Sequence, residues 1–166
     1  AFGILDPEAK TFGHWFSEAG YKTCISGKWQ LRSYNPPDFQ PEWRNLGMRA
    51  DDSGFHEYFL WHTENTEDKA SRFSDPRIQA NGKYLTGTEG KYGPDLYVDY
   101  INDFVERNQN DSFFIYYPMA LTHGPFNPTP DSEAWRHGDR FESNPDKYFG
   151  DMVEYMDKLI GRIDSK

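Results

Sequence analysis

Cysteine is almost missing. Cys24 stands alone in 166 residues, so no disulfide can form within the chain. The lone thiol leaves the compartment open, because many exported proteins also lack disulfides. No apolar run approaches the ~20 residues that span a bilayer. No signal peptide is visible, although a start at Ala1 rather than Met is what processing or a cut would leave. There is no Gly-rich phosphate loop, no G-x-S-x-G, no C-x-x-C, no internal repeat and no low-complexity tract. Basic residues are also scarce: 18 Lys and Arg stand against 27 Asp and Glu, a formal charge of −9. A chain this acidic is a poor general binder of nucleic acid or anionic membrane.

Aromatics are plentiful, at 17%. That fits a carbohydrate-facing protein and, more simply, a core built from Phe and Tyr. The length suffices for one domain with a sizeable core. The densest stretch is residues 112–126, SFFIYYPMALTHGPF. Its opening, residues 113–117, reads as a strand buried on both faces. It then passes Pro118 and delivers Thr122 and His123 into a Gly-Pro turn. Ligands of open α/β sheets sit beyond the carboxyl ends of the strands, so a strand that ends on a histidine is a candidate site.

Taken in order, Asp6-Pro7 predicts a helix start. Ala9, Phe12, Trp15, Phe16 and Ala19 follow at helical spacing, Gly20 is placed to cap the end, and His14 lies off the stripe. Residues 21–26, YKTCIS, predict a short strand with Cys24 as a small buried hydrophobe. Gly27 permits a sharp exit, and Lys28 then stands at the strand's carboxyl end, where an ammonium can meet an anion. Residues 32–93 read as loop-rich, with one extended segment at 54–62. Asp51-Asp52 could share a cation but lacks further oxygen ligands, and His56 and His62 have no metal-ligand spacing. Leu96, Tyr97, Tyr100, Ile101, Phe104 and Val105 predict a helix over 93–108. Strand, helical crossover and strand make an embellished βαβ unit with parallel strands. Lys28 and His123 then fall on the same edge of the sheet. Trp135 and His137 have no clear role. Asn144-Pro145 predicts a last helix with Tyr148, Met152, Tyr155, Met156, Leu159, Ile160 and Ile163 on one face. Gly150 and Gly161 in it imply close packing on something.

Three of these segments resemble one family. GYKTCISGKWQL resembles the sulfatase signature GYxTxxxGKWHLG, and SFFIYYPMALTHGPF resembles that family's apolar strand ending in an H-x-P-type loop. KYFGDMVEYMDKLIGRI resembles the following helix with its Y-x-D-x-x-x-G core, and the spacing of GFHEYF, NGKY and KYGPD is similar to an arylsulfatase-type branch. The resemblance implies a partial alkaline-phosphatase-like α/β domain with a parallel βαβ core and a loop-rich insertion at about 32–93. It also implies hydrolysis of sulfate esters, of a glycan or an aryl sulfate. In the full-length parent it implies Ca2+ and a formylglycine made from Cys or Ser in C/S-x-P/A-x-R. Lys28 matches the lysine that contacts sulfate and nucleophile. His123 matches the histidine that contacts sulfate and protonates the leaving alcohol.

The chain also departs from the pattern. No C/S-x-P/A-x-R occurs ahead of the first helix, where the resemblance places the nucleophile, and Asp51-Asp52 does not follow an apolar strand, so no metal ligand is assigned. Gln30 stands where the signature has His; it can hydrogen-bond an oxygen but takes no proton near neutral pH. The expectation is a central sulfatase fragment covering 1–166, truncated at both ends, inactive alone and prone to self-association. A phosphatase or phosphodiesterase of the same superfamily, and a non-catalytic carbohydrate-binding module, are the alternatives. The resemblance also implies a periplasmic, secreted or lysosomal setting.

Overall fold

The computed structural model describes residues 3–33, 36 and 38–166. Its centre is β1 (Lys22–Lys28), whose inner residues are buried on both faces. β2 (Glu57–Trp61) and β5 (Phe113–Tyr116) flank it, both parallel, with Cys24 beside Glu57 on one side and Ile115 on the other. β3 (Ile78–Ala80) and β4 (Lys83–Tyr84) extend the sheet antiparallel beyond β2, giving the order β4-β3-β2-β1-β5. The sheet is therefore mixed α/β with a parallel core, as the βαβ reading predicts. The stretch 32–93 is largely irregular, as read, and its extended segment is β2; it also holds β3, β4 and short 3-10 turns that the spacing does not predict.

Helices cover both faces. α2 (Gly93–Arg107) buries Tyr97, Val98, Ile101 and Phe104 on one face of the sheet. α4 (Pro145–Asp164) packs over it, and Phe59, Trp61, Ile78, Tyr92, Met152, Tyr155 and Leu159 join the same core. The short α3 (Glu133–Arg136) holds Trp135 against this core, edge-on to Tyr92 at 5.3 Å. Across the sheet, Ile25, Trp29, Met48, Phe55, Tyr58 and Leu60 form a second core. Ser26 in β1 donates to the Tyr97 carbonyl at 3.0 Å, which ties the central strand to α2.

Several expectations change in detail. α1 (Phe12–Glu18) begins at Thr11, not at Asp6. Asp6 caps only a turn, accepting from the Glu8 amide at 2.9 Å. Thr11 and His14 form a reciprocal capping box instead. Gly20 ends the helix as expected, with its amide on Ser17 and that of Tyr21 on Phe16, a Schellman pair. The apolar stripe of α1 is only partly covered, since Phe12 and Trp15 are 45% and 59% exposed. β5 is not buried on both faces. It is an edge strand, with Phe113 and Tyr116 exposed. On α4, Ile160 faces out with Phe149 and Val153, and a Cβ added at Gly150 or Gly161 would meet no side chain or other element within 4 Å among the described residues. Those glycines therefore mark no close packing among the described residues. No helix among the described residues is long and apolar enough to cross a membrane.

Candidate active site

The site begins where β1 runs out. Gly27 has φ 135, and a Cβ there would collide with the Pro118 carbonyl oxygen. Only glycine lets the segment after β5 come this close. The contact is then continued by hydrogen bonds. The Lys28 amide donates to the Pro118 carbonyl at 2.9 Å, Trp29 to Trp61 at 3.0 Å and Gln30 to His62 at 3.1 Å. The chain leaving β1 is thus stitched to the segment after β5 on one side and to the end of β2 on the other. Trp29 is buried and donates its indole N–H to the Met48 carbonyl, which anchors the turn between Lys28 and Gln30.

Lys28 and Gln30 line one cavity of about 330 Å³ with Ile25, Trp29, Leu31, Tyr116, Pro118 and Met119. Lys28 is half-buried. Burial, and after it the Arg72 guanidinium, draw its ammonium below the usual lysine value. Gln30 takes a left-handed backbone, φ 58. His123 is exposed on the loop after β5 and does not line this cavity. Its Nδ1 lies 3.0 Å from Nη2 of Arg72 and 2.7 Å from the Gly124 carbonyl.

Sequence reasoning passed over Arg72 and left His62 unassigned. Both belong to this edge. His62 follows β2 directly, is 4% exposed, and is held neutral: burial first, then Lys69 and Arg72, push it down to about 4. Its signal was present, since FLWH is also an apolar strand ending on a histidine. Arg72 offered no such pattern, because it comes from the irregular link between β2 and β3. Asp51 is spent elsewhere, bonding Arg49 at 3.1 Å and the Tyr58 hydroxyl at 2.9 Å. No group of His, Cys, Asp and Glu suited to a metal occurs among the described residues. Cys24 lies buried in mid-strand with its thiol pushed up by burial.

What the arrangement can do is hold an anion. In a chain of net charge −9, Lys28 ends β1, and Arg72 and His123 meet on the segments after β2 and β5, on the side where ligands of parallel sheets bind, although Lys28 and Arg72 line different cavities.

Solved structures share the fold. A Bacteroides thetaiotaomicron protein from a study of glycosaminoglycan metabolism (BT33494S-sulf) superposes with TM-score 0.67 at 18% identity over 98% of this chain. BT4656, solved with D-glucosamine-2-N,6-O-disulfate, gives 0.55 at 23% identity over 77%. Ps i-CgsB gives 0.62 at 17% identity over 99%. The chain spans 39%, 22% and 39% of those proteins, respectively. At these identities the likeness is one of fold, an alkaline-phosphatase-like α/β sheet. The sulfatase family model matches residues 4–165, nearly the whole chain, and on that match this protein belongs to the sulfatase family.

Proposed function

We propose that this chain is the central part of a sulfuric ester hydrolase, and that the parent enzyme cleaves sulfate esters of a glycan or an aryl alcohol. The observation that carries the reading is the seam between Lys28 and Pro118. It brings the GKW lysine to the segment that leads to His123, within a chain matched end to end by the family. The disulfated glucosamine bound by BT4656 favours a sulfated glycan as the substrate class.

In this reading Lys28 neutralises charge that builds on the sulfate oxygens as the ester bond stretches. Its desolvation strengthens that attraction relative to a lysine in water. His123 gives a proton to the departing alcohol oxygen through Nε2. Gln30 donates an amide hydrogen bond to a sulfate oxygen and carries no proton.

Among the described residues, Ca2+ and formylglycine, which the resemblance implies for the parent, find no holder. Ser132, which fits C/S-x-P/A-x-R in Ser132-Glu133-Ala134-Trp135-Arg136, is buried, donates its hydroxyl to Asp151 and lines a different cavity from Lys28. Asp51 is engaged by Arg49 and Tyr58, and Cys24 is sealed in β1. The chain alone is therefore expected to bind sulfate weakly and not to turn over aryl sulfates. Sulfate is titrated by NMR against wild type and Lys28→Ala/His123→Ala. A measurable affinity that drops at least several-fold in the double variant is expected, and identical curves would remove the functional claim.

A further inference from the structure

We infer that Arg72 is a positioning residue for His123: it fixes the imidazole through the Gly124 carbonyl and leaves Nε2 to meet the bound ester. What Nε2 meets rests on the sulfatase reading above. How the ring is held rests on geometry alone.

Arg72 is 8% exposed. Its guanidinium lies over the rings of Trp61 and Phe73, with its carbon 4.8 and 5.3 Å from their centroids. It also lines a cavity of about 320 Å³ shared with Pro125 and Asn127, just beyond His123. Packing of the planar group therefore sets where its donors point. Nη2 donates to the Gly124 carbonyl. The same nitrogen lies 3.0 Å from Nδ1 of His123, and Nδ1 lies 2.7 Å from the same carbonyl oxygen.

These three contacts allow one consistent assignment of protons. A carbonyl oxygen only accepts. Facing an unprotonated Nδ1 at 2.7 Å, it would set one lone pair against another. Nδ1 therefore carries a hydrogen and donates it to Gly124. Arg72 and His123 are then two donors converging on one oxygen, which has two lone pairs to offer. The 3.0 Å between Nη2 and Nδ1 is the spacing of those donors, not a bond. Nε2 bonds nothing among the described residues. The imidazole can turn about its exposed stem only by giving up the carbonyl, and Arg72 holds that carbonyl in place. Because the proton on Nδ1 is committed, Nε2 is the nitrogen that exchanges a proton with a ligand. Gln30 cannot take over that exchange.

A purely structural Arg72 would tie the 123–127 loop down without affecting the ring state of His123, so the test reads the ring. The chain is labelled with ¹⁵N-histidine, and long-range ¹H–¹⁵N correlations are recorded where the rings are neutral. His123 is assigned by its loss in His123→Gln. Wild type is expected to show the Nδ1–H tautomer in the majority. Arg72→Met keeps the stem packed between the rings and removes the donors; the ratio of Nδ1–H to Nε2–H should fall at least twofold. Arg72→Lys should restore part of it. A majority Nε2–H tautomer in wild type overturns the inference whether or not any variant folds. An unchanged ratio in Arg72→Met, with the amide spectrum intact, overturns it too. Sulfate titration of the same sample separates the two readings. An Nδ1–H signature with an Nε2 indifferent to sulfate leaves Arg72 as the positioning residue and removes the sulfatase site.

Discussion

Gly27 has no side chain because the Pro118 carbonyl occupies the space one would need. Gly27→Ala adds both that collision and a strained φ of 135. It should cost about 2–3 kcal/mol by urea unfolding. Surviving protein should lose sulfate affinity, because the Lys28–Pro118 seam has to open. His62 makes a prediction in pH. Its folded value is about 4, below the ordinary 6.5, so between those values the unfolded chain binds more protons. Stability should therefore rise with pH across that window and fall as pH drops from 6.5 toward 4. The size is up to about 3 kcal/mol, one pKa unit being ~1.4 kcal/mol. His62→Gln should flatten this acid-side slope in urea midpoints measured from pH 4 to 7. A slope that survives would assign it to other groups.

At the scale of elements, signals that were local and strong carried through. The Asn144-Pro145 start, the Gly20 stop and the period of α2 all appear where the spacing puts them. Asp6-Pro7 is a sound turn signal that misleads about the helix, because Thr11 has a better cap and also donates to Ser53 at 2.6 Å. Thr11→Ala should thus cost about 1–2 kcal/mol in thermal or urea unfolding, against the near-zero effect expected of Asp6→Ala. The antiparallel hairpin was legible but unread: Ile78–Ala80 and Lys83–Tyr84 are joined by Asn81-Gly82, both at positive φ. That two-residue turn is the strongest short-range hairpin signal. β2 was half-legible, as an extended run whose partner could not be named, since parallel pairing is set by distant β1. The site divides the same way. Lys28 stands at the end of β1 and His123 on the loop that follows β5, next to apolar runs that composition marks. Arg72 acts across 51 residues of sequence on His123, and no local pattern encodes such a contact.

At the scale of the whole molecule, what is uncovered matters as much as what is buried. Among the described residues β5 forms one edge of the sheet, with Phe113 and Tyr116 exposed and exposed Phe12 packed edge-on against Tyr116. An apolar groove of about 340 Å³ opens there between α1 and the sheet, lined by Leu5, Phe12, Ile25, Trp29, Phe55 and Tyr116. On the far side, Phe149, Val153 and Ile160 form an exposed stripe on α4. An unpaired edge flanked by aromatics is a template for another strand, and contiguous apolar surface favours association. The net charge of −9 opposes this at low salt and is screened at higher salt. Light scattering on the isolated chain should therefore show a mass that grows with protein concentration, and grows more steeply in about 0.5 M NaCl, a concentration at which the screening length is only a few ångströms. Tyr116→Lys places a charge on the β5 edge and should return the monomer, whereas Ile160→Lys, on α4, should act only if the helix stripe is the contact. A monomer at every concentration and salt, with no binding of an apolar dye, would mean that side-chain packing along β5 already protects the edge.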